Sequence, residues 1–187
     1  STQRRITIVE TGVANTAAVV VAFKRIEAEP ILTKDPELIA TAEHLVIPGV
    51  GAFGAGMREL ENNDLVEIIK ERLTAGRPTL VVCLGMHLLC ESSEETEGVQ
   101  GLSFVSEKVT RFPDTLKVPQ IGWNKVEASA DSKFLESGYA YFANSYRLEK
   151  FPEDWTPAMA IHGEPFVAAA EKGPILACQF HPELSGP

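Results

Sequence analysis

Two short stretches of this sequence carry residue types that do chemistry. In "TLVVCLGMHLLCE" an apolar run, Leu80 to Val82, stops on Cys83, and the residues from Leu84 onward read as the first turn of a helix. A cysteine where a strand hands over to a helix has two advantages. Free N–H groups and the helix dipole favour a thiolate, and the N–H of the next residue, Leu84, can hold an oxyanion. The pattern is that of a nucleophile elbow with sulfur as the nucleophile. Gly85 would let the helix start lie close to neighbouring backbone. In "CQFHPELSG", His181 and Glu183 are separated by Pro182. In an extended segment positions i and i+2 project to one side, and proline stiffens the backbone between them. Glu183 is thus placed to orient His181, and His181 to act as the base for Cys83. Cys178 is expected on the opposite side of that strand. A third stretch, "PGVGAFG", has enough glycine to turn backbone N–H groups toward a ligand and complete an oxyanion hole opposite Leu84.

These side chains need elements to position them. "RITIV" (Arg5 to Val9) is a β-branched run and predicts a strand. Asn15 sits where it could cap a helix striped by Val19, Ala22, Phe23 and Ile26. "DPEL" (Asp35 to Leu38) reads as a cap followed by proline at the first helical position. "HLVIP" predicts a second buried strand. "PGVGAFGAG", Pro48 to Gly56, is too glycine-rich for a regular element. "NDLVEIIKERL" predicts a helix capped by Asp64, with Glu67 three residues on and Gly76 and Pro78 ending it. "TLVV" predicts the third strand. Strand and helix alternate through this half, which implies a parallel sheet with helices on its faces. Sites in such sheets form at the carboxyl ends of strands. In the second half, "LSFVSEKVTRF", "YAYFANSYRL", "FVAAAEKG" and "PILACQF" are strand-like and closely spaced, as in hairpins.

The bulk properties exclude several classes. The formal net charge of −9 argues against general nucleic-acid binding. No apolar run approaches the roughly 20 residues of a membrane-spanning helix. The start, "STQRRITIVE", runs from polar directly into a strand and does not read as a signal peptide. The three cysteines form no CxxC pair and the four histidines no HxxxH pair, so neither a disulfide framework nor a zinc site is expected. Cys90 and Cys178 read as packing. A reducing compartment, the cytoplasm, is the expected location.

Together, "VCLGM", "FHPE" and "PGVGAFG" resemble the nucleophile elbow, His–Glu pair and oxyanion strand of class I glutamine amidotransferases. "VPQIGWN" and "YFANSYR" are similar to the glutaminases of imidazole glycerol phosphate synthases, and "GVGAFGAGM", "ENNDL" and "FVAAAEKG" fit as well. The resemblance runs the length of the chain and implies one amidotransferase domain over residues 1–187. The implied fold is α/β and flavodoxin-like, a parallel and mixed sheet with helices on both faces and an antiparallel, strand-rich second half. The implied reaction is hydrolysis of L-glutamine through a cysteinyl thioester. Cys83 would be the nucleophile, His181 the acid and base, Glu183 its orienter. The backbone of Val50, Gly51 and Leu84 would hold the oxyanion, and Gly51, His87, Ser145 and Tyr146 would line the glutamine pocket. No metal or cofactor is implied. Ammonia would pass to a (βα)₈-barrel cyclase, separate or fused, with Trp123 near the docking face. One peptide flip in "PGVG" is the candidate control of activity.

Several positions depart from the family pattern: Val81 for glycine, His87 for glutamine, Asn144 for histidine, Leu184 for lysine, and Ala14 in the first loop. The family also continues past the His-Pro-Glu motif into a final helix, so a truncated chain or a piece of a larger polypeptide is expected. Two other readings keep parts of the pattern: a different class I glutaminase, such as one feeding pyridoxal phosphate synthesis, or a docking subunit with weakened activity.

Overall fold

The computed structural model describes residues 4–11 and 16–185. The Asn15 cap and the first loop at Ala14 lie outside the described residues. The chain runs β1 (Arg5–Val9), α1 (Thr16–Arg25), β2 (Glu29–Thr33), α2 (Pro36–Thr41), β3 (Leu45–Ile47), α3 (Phe53–Asn62), α4 (Val66–Thr74), β4 (Thr79–Val82) and α5 (Leu84–Leu88). Then follow β5 (Ser92–Ser93), β6 (Lys108–Arg111), β7 (Gln120–Ala128), β8 (Gly138–Asn144), β9 (Tyr146–Arg147), β10 (Thr156–His162), β11 (Glu164–Lys172), β12 (Ile175–Cys178) and a 3₁₀ turn, Pro182–Leu184.

A nine-stranded sheet in the order β2-β1-β3-β4-β12-β11-β10-β7-β8 forms the frame. From β2 to β12 neighbours are parallel; from β12 to β8 they are antiparallel. β12 is the seam: it arrives from the end of the chain and lies between β4 and β11. Strand parity assigns the two faces. Ile6, Ile8 and Val46 pack with Val19 of α1 on one face. Val9, Leu45 and Ile47 pack on the other with Ile39, Met57, Leu60, Ile69 and Leu88, from α2 to α5. Helices therefore cover both faces of the parallel half, as expected.

Three sequence expectations change. The stretch at Pro48 to Gly56 is half helix: α3 begins at Phe53. Its glycines weaken helix propensity, but Gly56 lies where a Cβ would meet Leu84 and Leu88 at 3.0–3.2 Å, and close packing on α5 outweighs that loss. α4 is not capped by Asp64, which has φ 56°; Leu65 holds the cap position. β2, β7 and β10 are strands that the sequence reading passed over. Asp35 does cap α2, its carboxylate accepting the Glu37 N–H at 2.9 Å, with Pro36 at the first position.

Candidate active site

β4 is a short buried strand between β3 and β12. Its next residue, Cys83, has φ 52° and ψ −107°, a conformation that is costly for any residue with a Cβ. The fold enforces it. Cys83 N–H donates to Cys178 O at 2.7 Å, and Cys83 O accepts the Met86 N–H at 3.0 Å as α5 starts. Gly85 is required just beyond, because a Cβ there would lie 2.3 Å from Ile47 O. The sulfur thus stands at the carboxyl end of the sheet, on a residue only 8% exposed.

β12 continues past Cys178 toward this cysteine. Residues 178 and 179 face opposite ways, as parity expects: Cys178 packs in the core with Phe142 and Phe166, while the Gln179 amide reaches Cys83 Sγ at 3.7 Å. His181 lies on the same side. Its Nδ1 is 2.8 Å from Glu183 Oε1. The link between them is not the extended segment the sequence suggested, because Pro182–Leu184 is a 3₁₀ turn that curls Glu183 back beside the imidazole. Ser185 Oγ fastens the turn, donating to His181 O at 2.6 Å and accepting Tyr141 N–H at 2.9 Å. Burial works to lower the His181 pKa, but hydrogen bonds to Cys83 and Glu183 and their charges override it, raising the value to about 10. The shift favours the imidazolium, the partner a thiolate needs.

A cavity of about 450 Å³ opens over the sulfur, in the size range of small-molecule sites. Its walls include Val50, Gly51, Cys83, Leu84, His87, Ser145, Tyr146 and His181. Every residue expected in the site is therefore gathered there except Glu183, which stands behind His181, and Trp123. Trp123 is 57% exposed and lines a separate groove with Glu183 and Leu184. Two expected roles are modified. The Leu84 N–H, expected to hold an oxyanion, donates to Gly49 O at 3.2 Å, so in this conformation a carbonyl occupies it. His87 lines the cavity, but its Nε2 is 2.5 Å from Gln179 Oε1 rather than turned to the cavity's centre. Burial lowers its pKa to about 4, against the opposing hydrogen bond to Gln179, so the ring is neutral.

The sequence reading missed two participants. Glu95 is the one carboxylate among the lining residues, and one of its oxygens accepts the Phe53 N–H at 2.6 Å. Gln179 is wholly buried between His87 and Cys83. Among the described residues no group of three or more His, Cys, Asp or Glu side chains could hold a metal ion, and no helix is long and apolar enough to cross a membrane.

An elbow cysteine, a histidine–carboxylate pair and an adjoining glycine loop on this sheet define a class, and the sequence comparison agrees: the chain belongs to the class I glutamine amidotransferase family, matched over residues 7–186. Within it, the chain is 40% identical over 184 residues to the imidazole glycerol phosphate synthase subunit HisH of Methanothermobacter thermautotrophicus, covering 97% of this chain and 91% of that protein. The subunit of the same name from Symbiobacterium thermophilum is 38% identical over 185 residues, 97% of this chain and 87% of that one. A solved glutamine amidotransferase superposes with a TM-score of 0.78 at 18% identity, covering 96% of this chain and 90% of that chain, a likeness of fold.

Proposed function

We propose that this chain, as one domain over residues 1–187, is the glutaminase subunit of an imidazole glycerol phosphate synthase in histidine biosynthesis, working in the cytoplasm. One observation carries the reading: a strained elbow cysteine and His181 face the same cavity, with Glu183 hydrogen-bonded behind the imidazole. The relatives at 38–40% identity over nearly the full chain support it.

The Cys83 thiolate attacks the carboxamide carbon of L-glutamine, forming a C–S bond and an oxyanion. His181 gives its proton to the leaving nitrogen, ammonia departs and a thioester remains. Neutral His181 then takes a proton from water as its oxygen attacks the thioester. Collapse releases glutamic acid, which ionises, and restores the thiolate beside an imidazolium. Glu183 keeps the imidazole oriented throughout. The Glu95 carboxylate suits the substrate's α-ammonium, and Gly51, Ser145 and Tyr146 surround the rest of the amino acid, with His87 in the wall behind.

The oxyanion needs donors, and Leu84 N–H is engaged by Gly49 O at 3.2 Å. Rotating the Gly49–Val50 peptide removes that acceptor and turns the Val50 N–H toward the same point. Gly51, at φ +102°, supplies an adaptable hinge on the other side of Val50. This rotation is the control step, driven by docking of a (βα)₈-barrel cyclase that receives the ammonia. The docking face is the exposed end of the sheet. Register places Ile121, Trp123, Tyr139 and Ile161 on one face, and all four are more than half exposed. Such an apolar, aromatic surface marks a protein interface.

Glutamine hydrolysis measured with and without a barrel cyclase carrying a nucleotide analogue tests the scheme. Activity should rise on docking and vanish in Cys83→Ala. Hydrolysis that ignores both cyclase and nucleotide overturns the control step, and hydrolysis that survives in Cys83→Ala overturns the assignment of the nucleophile.

A further inference from the structure

Gln179 has no place in the scheme above, yet it is wholly buried and touches the reacting sulfur. A buried amide with an unmatched end is costly, and both ends here are matched. Its nitrogen is 3.7 Å from Cys83 Sγ, a hydrogen-bond distance for a large acceptor such as sulfur. Its oxygen is 2.5 Å from His87 Nε2. Chemistry fixes the direction of this chain. The amide nitrogen only donates, so it is Gln179 that gives a hydrogen to the sulfur. The amide oxygen only accepts, so His87 must carry its proton on Nε2. Burial keeps His87 neutral, and a neutral imidazole has one N–H to give.

We propose that Gln179 is a further catalytic residue, whose amide N–H holds the Cys83 sulfur as a thiolate, and that His87 is the positioning residue that aims it. The inference rests on Cys83 being the nucleophile. The groups facing the sulfur can be enumerated by element. The segment after β12 brings His181, with Glu183 behind it. α5 brings His87, and the cavity wall brings Glu95 and Tyr146. His181 is the one cation among them, so the thiolate has two supports of different kinds: the charge of His181 and the oriented dipole of Gln179. The assignment also gives His87 a reason to be a hydrogen-bond donor. A glutamine at position 87 has an N–H for the Gln179 oxygen too, whereas an apolar residue does not.

The test is the pH dependence of Cys83 alkylation by iodoacetamide, read by mass at Cys83. Cys90 and Cys178 do not compete, since burial pushes both thiols well above their ordinary range. Gln179→Met keeps the volume and removes the donor. Its alkylation midpoint should rise by about one pH unit, the effect of one hydrogen bond to a charged group. Its kcat for glutamine should fall about tenfold with KM changed less than about twofold. His87→Leu should shift the midpoint the same way, and His87→Gln should restore it. An unmoved midpoint in a folded Gln179→Met protein overturns the assignment, as does an equal shift in His87→Leu and His87→Gln. If Gln179→Met does not fold, the two His87 variants decide: a midpoint raised in His87→Leu and restored in His87→Gln upholds the proposal, and equal midpoints overturn it. A glutamine-analogue electrophile separates this from the larger reading. If the unaltered protein is not labelled at Cys83, the nucleophile falls; if it is labelled and the midpoints stay fixed, only the role of Gln179 falls.

Discussion

At the scale of single residues, the two buried histidines titrate in opposite directions. His87 has its pKa lowered from 6.5 to about 4 by burial. Below pH 6.5 the unfolded chain binds a proton that the folded chain refuses. Stability therefore falls as the pH drops from 6.5 toward 4, by on the order of 3 kcal/mol for a shift of this size. His181 runs the other way. Its pKa is raised to about 10, so its contribution is whole below pH 6.5 and is lost as the pH climbs toward 10. Urea midpoints at pH 7 and pH 4.5 check the first statement: His87→Gln should lose less stability over that interval than the unaltered protein, and parallel losses would acquit His87. Cys83, His181 and Glu183 were legible in the sequence as candidates because local context marks them: a strand that stops, a spacing of two, a proline between. Glu95 and Gln179 were not, because nothing local distinguishes them from other polar residues. Only the fold brings Glu95 to the N-terminus of α3 and Gln179 beneath the sulfur.

At the scale of elements, two polar side chains hold joints. Ser185 ties the 3₁₀ turn to β8 through His181 O and Tyr141 N–H. Ser185→Ala frees that turn and loosens His181, so kcat should fall about tenfold while KM for glutamine barely moves, since misplacement of a proton donor affects the chemical step; steady-state kinetics decide this. Arg72 of α4 is 3% exposed and donates to Ala42 O at 2.5 Å, Pro78 O at 2.6 Å and Thr79 Oγ1 at 3.1 Å. It joins the ends of α2 and α4 to the start of β4. Arg72→Met strands those acceptors and should cost about 3 kcal/mol in urea unfolding, with activity per folded molecule unchanged. The parallel half was legible wherever a strand is buried on both faces, as in "HLVIP" and "TLVV". β2 was missed because "EPILT" contains a proline. It is an edge strand, where the missing N–H is tolerated. β7 was missed because its alternating polar and exposed apolar residues serve a surface rather than a core. α3 was missed because its glycines answer to packing, Gly54 on Thr96 and Gly56 on α5, and not to propensity.

At the scale of the whole molecule, the seam strand explains why one chain needs both halves of its sheet. Pairing of β12 with β4 in register Cys178↔Val82 carries the segment from Gln179 to His181 to the side of Cys83. The antiparallel half then steadies that segment, because His181 N–H donates to Tyr141 O at 2.9 Å on β8. Trp123 meets Tyr141 edge-on at 6.1 Å, on the exposed face of the same strand pair. The proposed docking face is thus one side chain from the backbone that anchors His181. Exposed tryptophans in the middle of an apolar face are frequent binding hot spots. Trp123→Ala should weaken cyclase binding by about 2 kcal/mol, roughly thirtyfold in Kd. It should leave alkylation of Cys83 in the free chain unchanged, because Trp123 is no part of the cavity. Titration calorimetry gives the first quantity and iodoacetamide rates the second. If docking drives the oxyanion peptide by mass action alone, saturating cyclase should restore full hydrolysis in this variant. If a deficit persists at saturation, Trp123 also transmits the contact through Tyr141 to His181, and the face is then part of the switch rather than only its handle.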